Sequence, residues 1–222
     1  MKLLVSDYDG TVNFHGEVHK EDVEALSSFK KEGNIISIAS SRPFKSLHAE
    51  VLENNIPFDL LVCNNGNTIF EGTRLIYQNH LNLKELKALR ELLKNLPRGE
   101  QLSCDAWGRN SFNPIYYQIT LFNNYPFEYL EELFSKNGFA TDYYLNSGII
   151  FSKTFQKNDA TRYMLSQYGI DDTMAYTIGD GDNDYEMLRD FNGYTFPWCS
   201  QMVRKLNLPT VNSVSEVVQR II

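Results

Sequence analysis

Cysteine is scarce and unpaired in this chain. Its 222 residues include only Cys63, Cys104 and Cys199. They are widely spaced, odd in number and form no CxxC pair. That pattern excludes a zinc site of ordinary spacing and a disulfide framework, and reads as reduced thiols in a cytoplasmic protein. Long hydrophobic runs are also missing. The N-terminal segment MKLLVSDYDG turns acidic after a short apolar stretch, too short for a signal-peptide core or a membrane span, so no membrane partner is expected. No basic block exceeds two residues, which argues against a nucleic-acid surface. His15, His19, His48 and His80 show no metal-ligand spacing such as HExxH. Neither an internal repeat nor a low-complexity segment is visible.

What is present suits a soluble, folded protein. Hydrophobic residues make up 42% of the chain, enough to bury a core, and charged residues 22%. The length exceeds the usual single-domain size of roughly 100–150 residues, so one large domain or a domain with an insertion is expected. The net charge is −7. An acidic protein that handles anions needs a local positive centre, supplied by a bound cation and one or two Lys or Arg side chains.

The hydrophobic pattern divides the chain into parts. Residues 2–6, 35–39 and 59–63 are short apolar runs, read as buried strands. Between them, residues 20–32 carry Val23, Leu26 and Phe29 at helical spacing, and residues 44–54 suit a second helix. Strands alternating with helices, the strands apolar throughout, imply a parallel sheet covered on both faces. The pattern changes after about residue 80. An amphipathic helix (83–96), strands near 100–106 and 115–122, a helix (126–138) and strands at 140–145 and 148–152 make an antiparallel α+β insertion. The βα alternation then resumes with a helix (158–168), a strand (174–178), a helix from about 184 to 190, a late strand (193–196) and a C-terminal helix (213–222). The expected fold is therefore α/β, a Rossmann-like core with a small inserted α+β unit. The boundaries are 1–81 with 153–222 for the core and 82–152 for the insertion.

Four clusters carry possible chemistry. In DYDGTV (7–12), Asp7 and Asp9 stand where an apolar strand ends. In an extended chain residues i and i+2 face one side, about 7 Å apart. Two carboxylates so placed can share a divalent cation or divide nucleophilic and acid/base work. Gly10 allows a sharp turn or a close approach, and Thr11 adds a hydroxyl. Read alone, the same residues also make an ordinary polar turn. GDGDND (179–184) gathers Asp180, Asp182, Asn183 and Asp184 after another apolar strand. Such crowding suits magnesium, which prefers a few carboxylates plus waters and phosphate oxygens. It is not an EF-hand, because the twelfth position from Asp180 is Phe191 instead of glutamate; a solvated acidic turn is the plainer alternative. Ser40 follows the second strand, where its hydroxyl can meet a phosphoryl oxygen or cap the next helix. Lys157 precedes a helix. A cation there opposes the macrodipole and is better explained by an anion to bind, though exposed lysines are common. All four lie at or near loops that follow strands, where open α/β sheets bind ligands.

Together these clusters resemble the haloacid dehalogenase-like superfamily, in particular its Cof-like phosphatases. DYDGTV resembles the first motif, DxDGT followed by an apolar residue. SIASSR resembles the second, Lys157 in QKNDA the third-motif lysine, and IGDGDNDYEML the fourth. The matching parts cover roughly residues 1–80 and 150–222. The resemblance implies a Mg2+-dependent phosphatase acting on a small phosphorylated metabolite through a phospho-aspartyl intermediate. It implies Asp7 as nucleophile and Asp9 as general acid/base. Asp7, the Asp9 main-chain carbonyl, Asp180 and Asp184 would hold the metal. Thr11, Ser40, Ser41, Arg42, Asn65, Lys157 and Asn183 would line the phosphate site. The insertion would be an αββαββ cap, with Trp107, Arg109, Tyr116, Tyr117 and Tyr144 as candidate substrate contacts. A phosphomutase of the same superfamily and a non-catalytic phosphate-binding module are the alternatives. A monomer or homodimer is expected. Three positions depart from the pattern: Ser41 replaces the usual glycine before Arg42, Asn158 follows Lys157, and Asn67 replaces the small residue of an NGA turn.

Overall fold

The computed structural model describes residues 1–94, 102–103, 116–120, 127–144 and 147–222. They form two compact units, Met1–Tyr77 with Gln156–Ile222, and Gln78–Phe155.

In the first unit the chain runs through β1 (Leu3–Asp7), a short hairpin β2 (Asn13–Phe14) and β3 (Glu17–Val18), α1 (Lys20–Lys31), β4 (Ile35–Ala39), α2 (Phe44–Glu53), β5 (Leu60–Cys63), β6 (Thr68–Glu71) and β7 (Arg74–Gln78). The main sheet includes two strands from beyond the insertion, β12 and β13, described below. Its order is β13-β12-β1-β4-β5-β6-β7. The pairs from β13 to β5 are parallel, and β5 pairs with β6 antiparallel. The two added strands β6 and β7 are absent from the sequence reading, as is the β2–β3 hairpin. None of these strands has the continuous apolar run that marks the central strands.

Every residue of β1 is buried, as expected of a strand covered on both faces. Leu4, Ile36, Ile38 and Leu61 pack in one core with Leu26 and Phe29 of α1 and Leu47 and Val51 of α2. Val214, Val217, Val218 and Ile221 join that core. They come from α8 (Val214–Ile221), whose N-terminus is capped by the Ser213 hydroxyl accepting from the Glu216 amide. Leu3 and Val5 alternate to the opposite face and are equally buried.

The inserted unit continues with α3 (Leu83–Lys94), β8 (Leu102–Ser103), β9 (Tyr116–Thr120), α4 (Phe127–Lys136), β10 (Phe139–Tyr144) and β11 (Ser147–Ser152). This is an αββαββ order, and its antiparallel sheet runs β10-β11-β9-β8. Leu86, Leu89, Leu130, Phe134, Phe139 and Ile150 form its core, which is the physical reason for the helical spacing of leucines in α3. Cys104, Trp107 and Arg109 lie outside the described residues. Tyr116, Tyr117 and Tyr144 lie on strands whose side chains are likewise outside the description.

The first unit resumes with α5 (Lys157–Tyr168), β12 (Ala175–Ile178), a tight turn over Asp182–Asp184, α6 (Tyr185–Asp190), β13 (Asn192–Tyr194) and α7 (Gln201–Arg204). Helix α6 packs on β12 and α5 on α6. Among the described residues, no helix is long and apolar enough to cross a membrane.

Candidate active site

Strand order decides where the chemistry can be. From β1 the chain moves outward through β4 and β5, while β12 and β13 lie on its other side. The order therefore reverses at β1, and the loops after β1, β4, β5 and β12 all leave the same edge of the sheet. That is where open α/β sheets build ligand sites.

Each loop places a polar group there. Asp7 is the last residue of β1 and is buried. Asp180 and Asp184 follow β12. One carboxylate oxygen from each of Asp7, Asp180 and Asp184 lies within 4.8 Å of the others. Lys157, the first residue of α5, is fully buried beneath them. Its Nζ donates to Asp7 Oδ1 at 2.6 Å and to Asp184 Oδ1 at 2.7 Å. The lysine opposes the helix dipole, but two carboxylates hold it there. The helix terminus itself is closed by a capping box between Gln156 and Asp159.

The loop after β12 is shaped by its own acid. Asp184 Oδ2 accepts from the Asp180 and Gly181 amides, at 3.2 and 3.0 Å. Asp180 Oδ1 accepts from the Thr11 hydroxyl at 3.1 Å. Gly10 passes so close to Asp180 that an added Cβ would stand 2.5 Å from its Oδ2, and its φ is +87°. Glycine is required there on both counts.

Three carboxylates share one ammonium, so the cluster carries excess negative charge when ionised. Burial, then the neighbouring Asp184 charge, pushes the Asp7 carboxyl above its usual range despite the opposing lysine. Burial and Asp184 likewise raise Asp180, to about 6. Burial alone would lower the Lys157 ammonium, but Asp184 and Asp7 outweigh it and hold its pKa above the ordinary value. Asp7 Oδ2 is buried and accepts no hydrogen bond from the described residues. Three converging carboxylates, with one buried ammonium to balance them, make a hard oxygen donor set that fits a divalent cation.

The remaining candidates are placed as follows. Asp9 is exposed near the start of the first loop, two residues beyond β1. Arg42 grips it with two bonds, Nε to Oδ2 at 2.8 Å and Nη2 to Oδ1 at 2.7 Å. The Ser40 hydroxyl is buried, 3.4 Å from Asp9 Oδ2, and accepts from the Arg42 amide at 3.1 Å. It does not cap α2, whose N-cap is Pro43. Ser41 is half-buried between them. Asn65 is buried in the turn after β5, and its Oδ1 accepts from Asn183 Nδ2 at 3.3 Å. Amides of this turn bond the second loop: Asn64 N donates to the Arg42 carbonyl and Asn65 N to the Ser40 carbonyl, both at 3.0 Å.

Three further residues carry no signal in the sequence. Tyr8 is buried between the two acids and donates to Glu50 Oε2 at 3.0 Å. Glu50 Oε1 accepts from Arg42 Nη1 at 2.9 Å. Trp198 donates its indole N–H to the Gly10 carbonyl at 3.0 Å. Glu50 and Trp198 sit in stretches without motif or spacing that would single them out.

A largely parallel α/β sheet with acids and a buried lysine gathered at its reversal point suits the class of enzymes that act on anionic groups. Sequence comparison gives the family. The profile of the haloacid dehalogenase-like hydrolases matches residues 4–111 and 109–195, and the chain belongs to that family. A search of the curated proteins finds no match to the sequence. Among solved structures, the chain is similar to BT4131, described as a HAD subclass IIB sugar phosphatase, with a TM-score of 0.77 at 18% identity, covering 100% of each chain. It is similar to BT1666 from Bacteroides thetaiotaomicron, described among HAD phosphatases, with a TM-score of 0.77 at 14% identity, covering 100% of this chain and 94% of that one. It also resembles a protein from Geobacillus kaustophilus HTA426, with a TM-score of 0.75 at 20% identity, covering 99% and 98%. At these identities the likeness is one of fold.

Proposed function

We propose that this hydrolase is a Mg2+-dependent phosphatase that acts on a small phosphorylated metabolite, of the sugar phosphate or phosphoglycolate kind, through a phospho-aspartyl intermediate at Asp7. The observation that carries the reading is the Asp7 carboxylate itself. One oxygen is fixed by a buried lysine, and the other is buried with no partner among the described residues. A carboxylate held by one oxygen with the other unengaged is oriented for attack.

In this reading Asp7 Oδ2 forms a bond to phosphorus as the bond to the leaving oxygen breaks, and Asp9 gives that oxygen a proton. Water then attacks the phosphorus, Asp9 takes its proton, and the Asp7–phosphorus bond breaks. Inorganic phosphate and an alcohol result, and Asp7 is restored. Lys157 fixes Asp7 and offsets phosphoryl charge. Ser40, Ser41, Thr11 and Asn65, steadied by Asn183, supply polar groups around the phosphoryl oxygens, and Arg42 enters through Asp9. Magnesium, held by Asp7, Asp180, Asp184 and the Asp9 main-chain carbonyl, would supply positive charge against the transferring group. The unit Met1–Tyr77 with Gln156–Ile222 carries the chemistry. The buried free thiols of Cys63 and Cys199 are in keeping with a cytoplasmic setting.

The test is phosphate release from a panel of sugar and short-chain phosphate esters with Mg2+. Wild-type protein should release phosphate. Asp7→Asn should lose at least roughly a thousandfold in turnover while keeping its circular dichroism and melting temperature. Full activity in Asp7→Asn would refute the nucleophile. Intramolecular return of phosphate without release would replace hydrolysis by a mutase reaction.

A further inference from the structure

Around Asp9 the structure contains a closed ring of contacts, of which the hydrolytic reading uses only the Arg42–Asp9 pair. Arg42 turns the edge formed by Nε and Nη2 toward Asp9, at 2.8 and 2.7 Å. Its remaining nitrogen, Nη1, donates to Glu50 Oε1 at 2.9 Å. The other Glu50 oxygen accepts from the Tyr8 hydroxyl at 3.0 Å. Tyr8 neighbours Asp9 in the chain, so the ring closes through the backbone. The Arg42 guanidinium also lies over the Tyr8 ring, 5.2 Å from its centroid.

We propose that Glu50 and Tyr8 are positioning residues that act through Arg42 to fix the Asp9 carboxyl in its acid/base orientation. A guanidinium is planar, with its five donors in a rigid fork. Anchoring Nη1 on Glu50 therefore sets the plane in which Nε and Nη2 meet Asp9, and the Tyr8 ring limits motion out of that plane. An exposed carboxyl without this support samples several rotamers, and only some of them reach the leaving oxygen. Tyr8 is wholly buried, so its phenol hydroxyl requires a partner, and that partner is Glu50. Tyr8 follows β1, Arg42 lies in the loop after β4 and Glu50 in α2, and neither Tyr8 nor Glu50 need touch substrate.

The inference rests on the acid/base role proposed for Asp9, and the experiment separates the two. Wild type, Asp9→Asn, Glu50→Ala, Glu50→Gln and Tyr8→Phe are assayed with substituted phenyl phosphates of graded leaving-group acidity, and kcat/KM is compared along the series. An acidic phenol departs without a proton, whereas a weakly acidic one needs the donor. Glu50→Ala should therefore lose roughly tenfold or more at the weakly acidic end and only about twofold at the acidic end. Tyr8→Phe should tilt the series the same way by less. Glu50→Gln can still accept from Arg42 and donate to Tyr8, so it should recover most of the loss. A uniform loss across the series in Glu50→Ala, or none, while Asp9→Asn shows the tilt, overturns the positioning role alone. Absence of the tilt in Asp9→Asn overturns the acid role of Asp9 and the inference with it.

Discussion

At the scale of single residues, Lys157 is the most consequential side chain. It is a fully buried ammonium between two buried carboxylates. Removing one member of a buried charge cluster is costly because the others remain desolvated. Lys157→Met should lower unfolding free energy by roughly 3–5 kcal/mol at pH 8 in urea titrations. The loss should shrink as pH falls, since Asp7, already raised by burial and Asp184, can then take up a proton in place of the lysine's charge. A pH-independent loss would mean that packing, not charge, is the dominant contribution of Lys157. The same logic explains why a lysine occupies the first turn of α5 against the helix dipole. The local dipole effect is at most about 2 kcal/mol, and the two carboxylates outweigh it.

At the scale of elements, the NNGN turn after β5 couples two loops to α5. Asn64 and Asn65 both adopt positive φ, 51° and 55°, a conformation asparagine tolerates better than most residues. Gly66 follows with φ +108°, and an added Cβ would lie 2.4 Å from the Gln156 carbonyl carbon. That backbone immediately precedes Lys157, so the turn and the lysine share one packing contact. Gly66→Ala should lower the melting temperature by about 5 °C or more and reduce phosphate release, because relief of the clash displaces the start of α5. An unchanged melting temperature would show that α5 can shift freely. The turn was legible as a turn from its Asn and Gly content. Its contact with Gln156, 90 residues further along the chain, was not.

At the scale of the whole molecule, the site joins strands from both ends of the chain, so a cation bound there ties those ends together. Its ligands are costly to assemble without it. Asp180 titrates at about 6 in the folded protein, against 3.8 for the unburied group. Between those values the folded state holds more protons than the unfolded chain, so this group removes stability as pH rises. Excess Mg2+ should reverse that loss. It should raise the melting temperature by about 5 °C or more at pH 8 and by clearly less at pH 5, where protons compete for the carboxylates. In Asp180→Ala the Mg2+-induced shift should fall sharply. An equal shift at both pH values, or one retained in Asp180→Ala, would place the cation elsewhere.

The alternation of apolar strands and amphipathic helices, the change of pattern after residue 80 and the acid-bearing strand ends follow from the amino-acid order alone, because hydrophobic period and turn chemistry are local. The tertiary structure decided what those ends meet. Asp7 and Lys157 are 150 positions apart, and only the strand order, with β12 placed beside β1, brings them within one hydrogen bond. Glu50 depends on the fold in the same way: on α2 it is one acid among many, and its relation to Asp9 exists only through the plane of Arg42. Local pattern can show that a residue has the chemistry for a site. Whether it belongs to one is set by long-range packing, which no window of sequence contains.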